Sequence, residues 1–329
     1  MRAASLLVVV VFAGCLEALP EIQDQPGNEV TAVVGWHQIS NASVARAEHA
    51  VGQIGSDLYI IAGMTNTTDG VATAERYNVT TGEWTQLPDL PIATHHTSAT
   101  GVGGVLVVAG GFDVAGPTGL TITDRAFKFD PATNKWTELP RMGIPRAAHA
   151  AVAVDGKVYL VGGYTVALVG HTPHVSIYDP ATNLWTVGAP MPTPRDHLGV
   201  AAVGKVIYAF GGDLATHSNS ADAVEAYDTV TGLWMPRDSL PTVRGSMSAV
   251  AVNETIWVMG GQDGSRTYDD VDGYTPATGA WKKLPPLLSP RHGFGSGFWD
   301  GIVYVVEGGP EPGASFTDTI EAYGEHIVG

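Results

Sequence analysis

The sequence holds one cysteine, Cys15, in 329 residues, and that count excludes an intrachain disulfide. Stability must then come from packing. Charge is scarce at 15%, and positive charge scarcer still, with 17 Lys and Arg against 33 Asp and Glu for a formal net of -16. Such a surface repels nucleic acid and anionic membranes, so neither is an expected partner. No stretch reads as an amphipathic helix, and the apolar run from Ala3 to Gly14 is short for a bilayer span. Nucleophile–base pairs, metal-ligand spacings and phosphate loops are missing as well, so no cofactor or metal is expected. What is abundant is glycine, 41 residues, with 21 prolines, a composition suited to many short strands and tight turns.

The opening "MRAASLLVVVVFAGCLEALP" has one basic residue before its apolar run and reads as a secretory signal over residues 1–18. Phe12-Ala13-Gly14-Cys15 fits a lipoprotein box, which would leave a lipidated Cys15 as a membrane tether. An ordinary signal peptide cleaved further on is the other reading. Either places the mature chain outside the cytoplasm. Residues 19–34, acidic and broken by Pro and Gly, read as a tether, and the folded body as 35–329.

Within the body, Gly110-Gly111, Gly162-Gly163, Gly211-Gly212, Gly260-Gly261 and Gly308-Gly309, with Ala62-Gly63 as a variant, recur every 48 to 52 residues. Each follows a β-branched and aromatic run such as "KVYLV" or "TIWVM". An aromatic follows at Tyr77, Phe129, Tyr178, Tyr227, Tyr274 and Tyr323, and seven residues past each of the first five stands Trp84, Trp136, Trp185, Trp234 or Trp281. Asp155-Gly156, between two apolar runs, signals a two-residue hairpin. Two residues before the tryptophans only Gly or Asn occurs, at Gly82, Asn134, Asn183, Gly232 and Gly279, as a left-handed backbone requires. Each repeat is thus four antiparallel strands.

The double glycine, the spaced Tyr and Trp and the period of about 50 residues resemble the kelch family. The resemblance covers residues 36 to 329 and implies an all-β fold, a six-bladed kelch β-propeller. The sixth repeat ends without a tryptophan, while Trp36 in "VGWHQIS" precedes the first. The N-terminal strand around Trp36 is therefore expected to complete the last blade and remove free sheet edges.

Sixteen residues before the first glycine of each pair stand Arg46, Thr94, Arg146, Arg195 and Arg244, and seventeen before the last pair stands Arg291. Five arginines in one equivalent slot, with His96, His197 and His292 within two residues of it, are expected around the channel mouth, where guanidinium forks suit an anionic or polar ligand. A structural role, donating to loop carbonyls or to rim acids such as Asp113, Asp213, Asp263 and Glu311, uses the same donors and stays open. His49 and His149 are expected to pack between blades, and Asp269, Asp270 and Asp272 to lie on a solvated strand edge. Four sequons, at Asn41, Asn66, Asn78 and Asn253, carry no weight.

Two functional classes follow. One is an exported, monomeric recognition module, without catalysis, for a protein segment or glycan on the arginine-lined face. The other is a sugar-acid mutarotase, an isomerase, because the chain is also similar to N-acetylneuraminate epimerase-type kelch propellers; it needs a pair such as Arg195 or Arg244 with Glu311 or Asp213. A copper radical oxidase with kelch repeats requires a cysteine within the fold, and Cys15 lies outside it.

Overall fold

The computed structural model describes residues 31–65, 70–115, 121–165, 170–214 and 219–328. The expected signal segment, Cys15, most of the expected tether and Asn66 lie outside them. The first strand begins at Thr31, inside the stretch read as tether, and runs to Arg46.

Among the described residues the strands form six four-stranded antiparallel sheets and one small three-stranded sheet. The third repeat shows how sequence becomes a blade. Its innermost strand, Ala150–Val154, pairs with Lys157–Val161 across Asp155 and Gly156, whose φ values of 48° and 74° are those of a primed hairpin turn. Val175–Asp179 and Leu184–Val187 follow, joined through Asn183 at φ 56°. The Gly/Asn slot is left-handed in every repeat that has it. Burial falls outward: Lys157–Val161 is buried after its first residue, whereas Leu184 and Val187 on the outermost strand are 59% and 65% exposed.

The long first strand pairs antiparallel with Thr317–Val328, setting Trp36 opposite Tyr323. Their rings lie 5.4 Å apart, against 4.9 to 5.1 Å for the five Tyr/Phe–Trp pairs inside the other blades. The six innermost strands, Ala50–Ile54, Ser98–Val102, Ala150–Val154, Gly199–Val203, Ser248–Val252 and Gly295–Trp299, each touch the next, and the last touches the first. Apolar clusters fill the spaces between successive sheets, as in the one joining Tyr159 and Val161 to Ile207 and Tyr227.

Two rings of hydrogen bonds tie the blades together. On the outside, each tryptophan indole donates to the residue four past the tryptophan of the preceding blade: Trp136 to Pro88, Trp185 to Pro140, Trp234 to Ala189, Trp281 to Asp238 and Trp36 to Pro285. Trp84 donates to the hydroxyl of Ser40 at 2.9 Å, the same relation to Trp36. The inner ring belongs to the site.

Candidate functional site

The arginine slot comes first, because the structure corrects its expected exposure. Arg46, Arg146, Arg195, Arg244 and Arg291 are each 0% exposed. Their guanidinium groups run back into their own blades. Arg195 pairs with Glu225 at 2.5 Å, Arg244 with Asp272 at 2.8 Å, and Arg291 with Glu321. Arg46 pairs with Glu75 and, through Nε at 3.1 Å, with Glu307. Arg146 instead donates to the Ser176 hydroxyl at 2.9 Å and the His174 carbonyl at 3.0 Å, and burial pulls its guanidinium down to about 10. These five side chains therefore do not line the mouth as a positive well. A desolvated guanidinium is tolerated only where acceptors surround it, and each blade provides them.

The backbone of the slot faces the other way. Gly111, Gly163, Gly212 and Gly261 donate to the carbonyls of Arg146, Arg195, Arg244 and Arg291 in the next blade, at 2.8 to 3.0 Å. A Cβ on Gly163, at φ 100°, would come within 2.5 Å of the Ala147 carbonyl oxygen, which is why the second residue of every pair is glycine. Each arginine is thus a spoke, bonded to the preceding blade by its backbone and to its own sheet by its side chain.

The acceptors were missed in the sequence, although a signal was present. They are Glu75, Ser176, Glu225, Asp272 and Glu321, each two residues before the repeat tyrosine. In the second repeat, where Thr94 replaces arginine, that position is Phe127. Slot and acceptor change together. Asp272 is accordingly buried, not on a solvated edge. The odd seventeen-residue spacing of Arg291 is also resolved: Glu307 and Gly308, with φ 57° and 102°, occupy the backbone positions that Gly110 and Gly111 hold at 68° and 101°. The last pair begins at Glu307, sixteen residues past Arg291, and a buried glutamate stands where other blades have glycine or alanine.

His49 and His149 are buried between blades. His149 meets the Ser98 hydroxyl at 2.8 Å. Burial and the Arg46 charge pull His49 down to about 3, so it is neutral.

The channel mouth is built two residues past the slot, by Glu48, His96, Ala148, His197, Ser246 and Gly293. All six have φ between 49° and 58°, a left-handed value uncommon for the five that are not glycine. The strain serves a closed circuit: the N–H of each donates to the carbonyl of the one before, Glu48 to Gly293 included, at 2.7 to 2.9 Å. The backbone of the mouth is therefore fixed by all six blades, while its side chains differ.

Those side chains bring Glu48, His96, His197 and His292 together. Glu48 Oε2 lies 3.6 Å from His96 Nε2 and 3.9 Å from His197 Nε2, and its Oε1 lies 3.6 Å from His292 Nδ1. Asp196, fully buried, binds the Nδ1 atoms of both His197 and His171. Asp213 lies 3.9 Å from His197 and accepts from Ser220 at 2.6 Å. Burial works against the Glu48 carboxylate, but His96, His292 and His197 together hold it well below the usual range. Burial likewise opposes a charge on His197, and Asp196, Glu48 and Asp213 outweigh it, raising the imidazole to about 9. Two triplets, Glu48 with His96 and His197, and Asp196 with His197 and Asp213, have ligand atoms within 4.8 Å of one another and could hold a metal ion. The sequence named the three histidines but not Glu48, because one blade alone carries an acid there.

Below the mouth runs a channel of about 410 Å³, walled mainly by small residues of the six innermost strands and ending near Gln53 and Phe298. A second cavity of about 170 Å³, edged by Met64, Gln262, His292 and Phe316, shares Glu48 and His96 with it. Glu311 is exposed and touches the site only through its carbonyl, which accepts from His292 Nε2 at 2.9 Å. The guanidinium–acid pairs required for mutarotation are not formed, since Arg195 and Arg244 are held by Glu225 and Asp272.

A KLHDC2/KLHL20/DRC7 Kelch-repeats domain matches residues 31–212 and again 148–322. Among curated proteins, the chain is 31% identical over 169 residues to Kelch-like protein terF of Aspergillus terreus, covering 47% of this chain and 35% of that one. It is 29% identical over 143 residues to human Kelch-like protein 15 (40% and 24% covered), and 29% identical over 138 residues to Alpha-scruin of Limulus polyphemus (41% and 15%). The chain thus spans about a third or less of the length of these relatives. The solved structure of YjhT superposes with a TM-score of 0.76 over 88% of this chain and 99% of that one, at 17% identity.

Proposed function

Because the chain belongs to the Kelch-repeat family, we propose that it is a recognition module that receives a positively charged group of a protein segment at the mouth of its channel. The observation that carries this reading is the exchange of roles between the charged groups: the arginines are spent inside the blades, and the side chains that meet at the mouth are a carboxylate and three imidazoles backed by Asp196 and Asp213. Carboxylates in a partly desolvated well favour a cationic donor over an anion. A Lys or Arg side chain supplies one. A glycan, the other class the sequence left open, offers hydroxyl groups but no cation. The sugar-acid mutarotase reading keeps only its similarity of fold, and a fold alone implies no chemistry. Binding outside the cytoplasm is supported by the apolar run Ala3–Gly14, and a membrane tether by Cys15.

The test is capture from paired peptide libraries, Lys/Arg-rich and Asp/Glu-rich. Basic peptides should be retained and Glu48→Gln should release them at least tenfold, with the melting temperature unchanged. Retention of the acidic library instead, or capture indifferent to Glu48→Gln, contradicts the assignment.

A further inference from the structure

We infer that the mouth holds one divalent transition-metal ion, bound by Glu48, His96 and His197. This rests on the reading of the mouth as a cation site; the ion and a Lys or Arg side chain compete for Glu48, so basic-peptide capture is measured on the metal-free chain. Ligands around a tetrahedral ion with bonds of 2.0–2.2 Å sit about 3.3–3.6 Å apart. Glu48 Oε2 is 3.6 Å from His96 Nε2 and 3.9 Å from His197 Nε2, within a few tenths of an ångström of that spacing, and all three ligand atoms lie within 4.8 Å of one another. Two imidazole nitrogens and one carboxylate oxygen suit zinc and its first-row neighbours better than calcium or magnesium, which prefer oxygen alone.

The groups behind the ligands point the same way. His197 is bound at Nδ1 by Asp196, and His96 at Nδ1 by His95 Nδ1, 2.5 Å away. Both rings therefore turn Nε2 towards Glu48, and an ion bound there displaces the Nε2 proton of His197. Outer partners that fix ring orientation in this way are typical of metal-ligating histidines. Asp196 is itself anchored by His171, and Glu48 Oε1 faces His292. The three ligands come from blades one, two and four, and the backbone circuit through all six blades fixes their spacing before any ion arrives.

The other members of the ring, Ala148, Ser246 and Gly293, are small and leave the axis open. An ion bound at three points there keeps at least one coordination position for water or for a donor atom from an incoming ligand, as open zinc sites do. Asp196, His197 and Asp213 make a poorer site. Asp196 is already shared by two histidines, Asp213 accepts from Ser220, and both carboxylates are fully buried.

The test is zinc titration of the full chain after removal of metal with EDTA, followed by calorimetry. One equivalent should bind saturably, and cobalt(II) in its place should give the intense visible bands of four-coordination. Glu48→Gln, His96→Gln and His197→Gln should each weaken zinc at least a hundredfold, and Asp196→Asn, which removes a positioning group, about tenfold. His37→Ala, on the edge strand of the last blade, should change nothing. Should one ligand variant fail to fold by circular dichroism, the other two decide. Absence of a saturable single site, or zinc affinity untouched in the folded ligand variants, overturns the inference. Basic-peptide capture that depends on Glu48 without zinc uptake overturns the metal alone; loss of both overturns the cation reading as well.

Discussion

Glu307, His49 and Arg46 show how much a single position can alter. Glu307 takes a left-handed φ of 57° in a slot that is glycine or alanine elsewhere, and its carboxylate lies 3.1 Å from Arg46 Nε and 3.6 Å from His49 Nδ1. Burial raises Glu307 well above the usual carboxylate range, against the pull of Arg46. His49 has the clearer consequence for pH. Its folded value of about 3 is below its unfolded value of 6.5, so the unfolded chain binds the extra proton between those limits. Its contribution to stability is complete above pH 6.5 and is lost as pH falls towards 3. The slope reaches about 1.4 kcal/mol per pH unit. Urea unfolding at pH 7 and pH 5 should show a fall in stability that is smaller by about 2 kcal/mol in His49→Gln than in the parent. An equal fall in both would show that His49 is not the group responsible.

At the level of the strand, the third blade is the exception that exposes the rule. Its arginine, Arg146, has a hydroxyl at Ser176 where four other blades place a carboxylate. Ser176→Asp supplies the missing counter-charge, and a hydrogen bond to a charged group contributes about 1.5–3 kcal/mol. The urea midpoint of Ser176→Asp should therefore rise with the slope unchanged. A fall would mean that this blade cannot seat the carboxylate. The strands themselves were legible, because apolar alternation, Asp155-Gly156 and the Gly/Asn slot are local signals that the backbone obeys. The slot partners were not, since Arg195 and Glu225 are 30 residues apart and meet only when the first and third strands of a blade flank the second. Comparison of the repeats would have found them, through Thr94 with Phe127. Glu48 has no such signal: its chemistry depends on His96 and His197 from other blades, which only the ring brings within 4 Å.

Across the whole molecule, positive charge holds the blades and negative charge dresses the opening. With a formal net charge of -16, the chain uses five of its 17 basic side chains as buried spokes. The outer tryptophan bonds and the inner backbone circuit then hold the rim and the mouth. Removing one partner of a buried ion pair costs about 3–5 kcal/mol, because the other charge is left uncompensated, whereas replacing both removes that penalty. The second repeat already shows an uncharged combination, Thr94 with Phe127. The most direct measurement is a double-mutant cycle by urea unfolding on Arg195→Thr and Glu225→Phe. Each single change should cost about 3–5 kcal/mol, and the pair at least about 2 kcal/mol less than their sum. Additive costs, or an Arg195→Thr variant as stable as the parent, would contradict the assignment of the arginines to the framework.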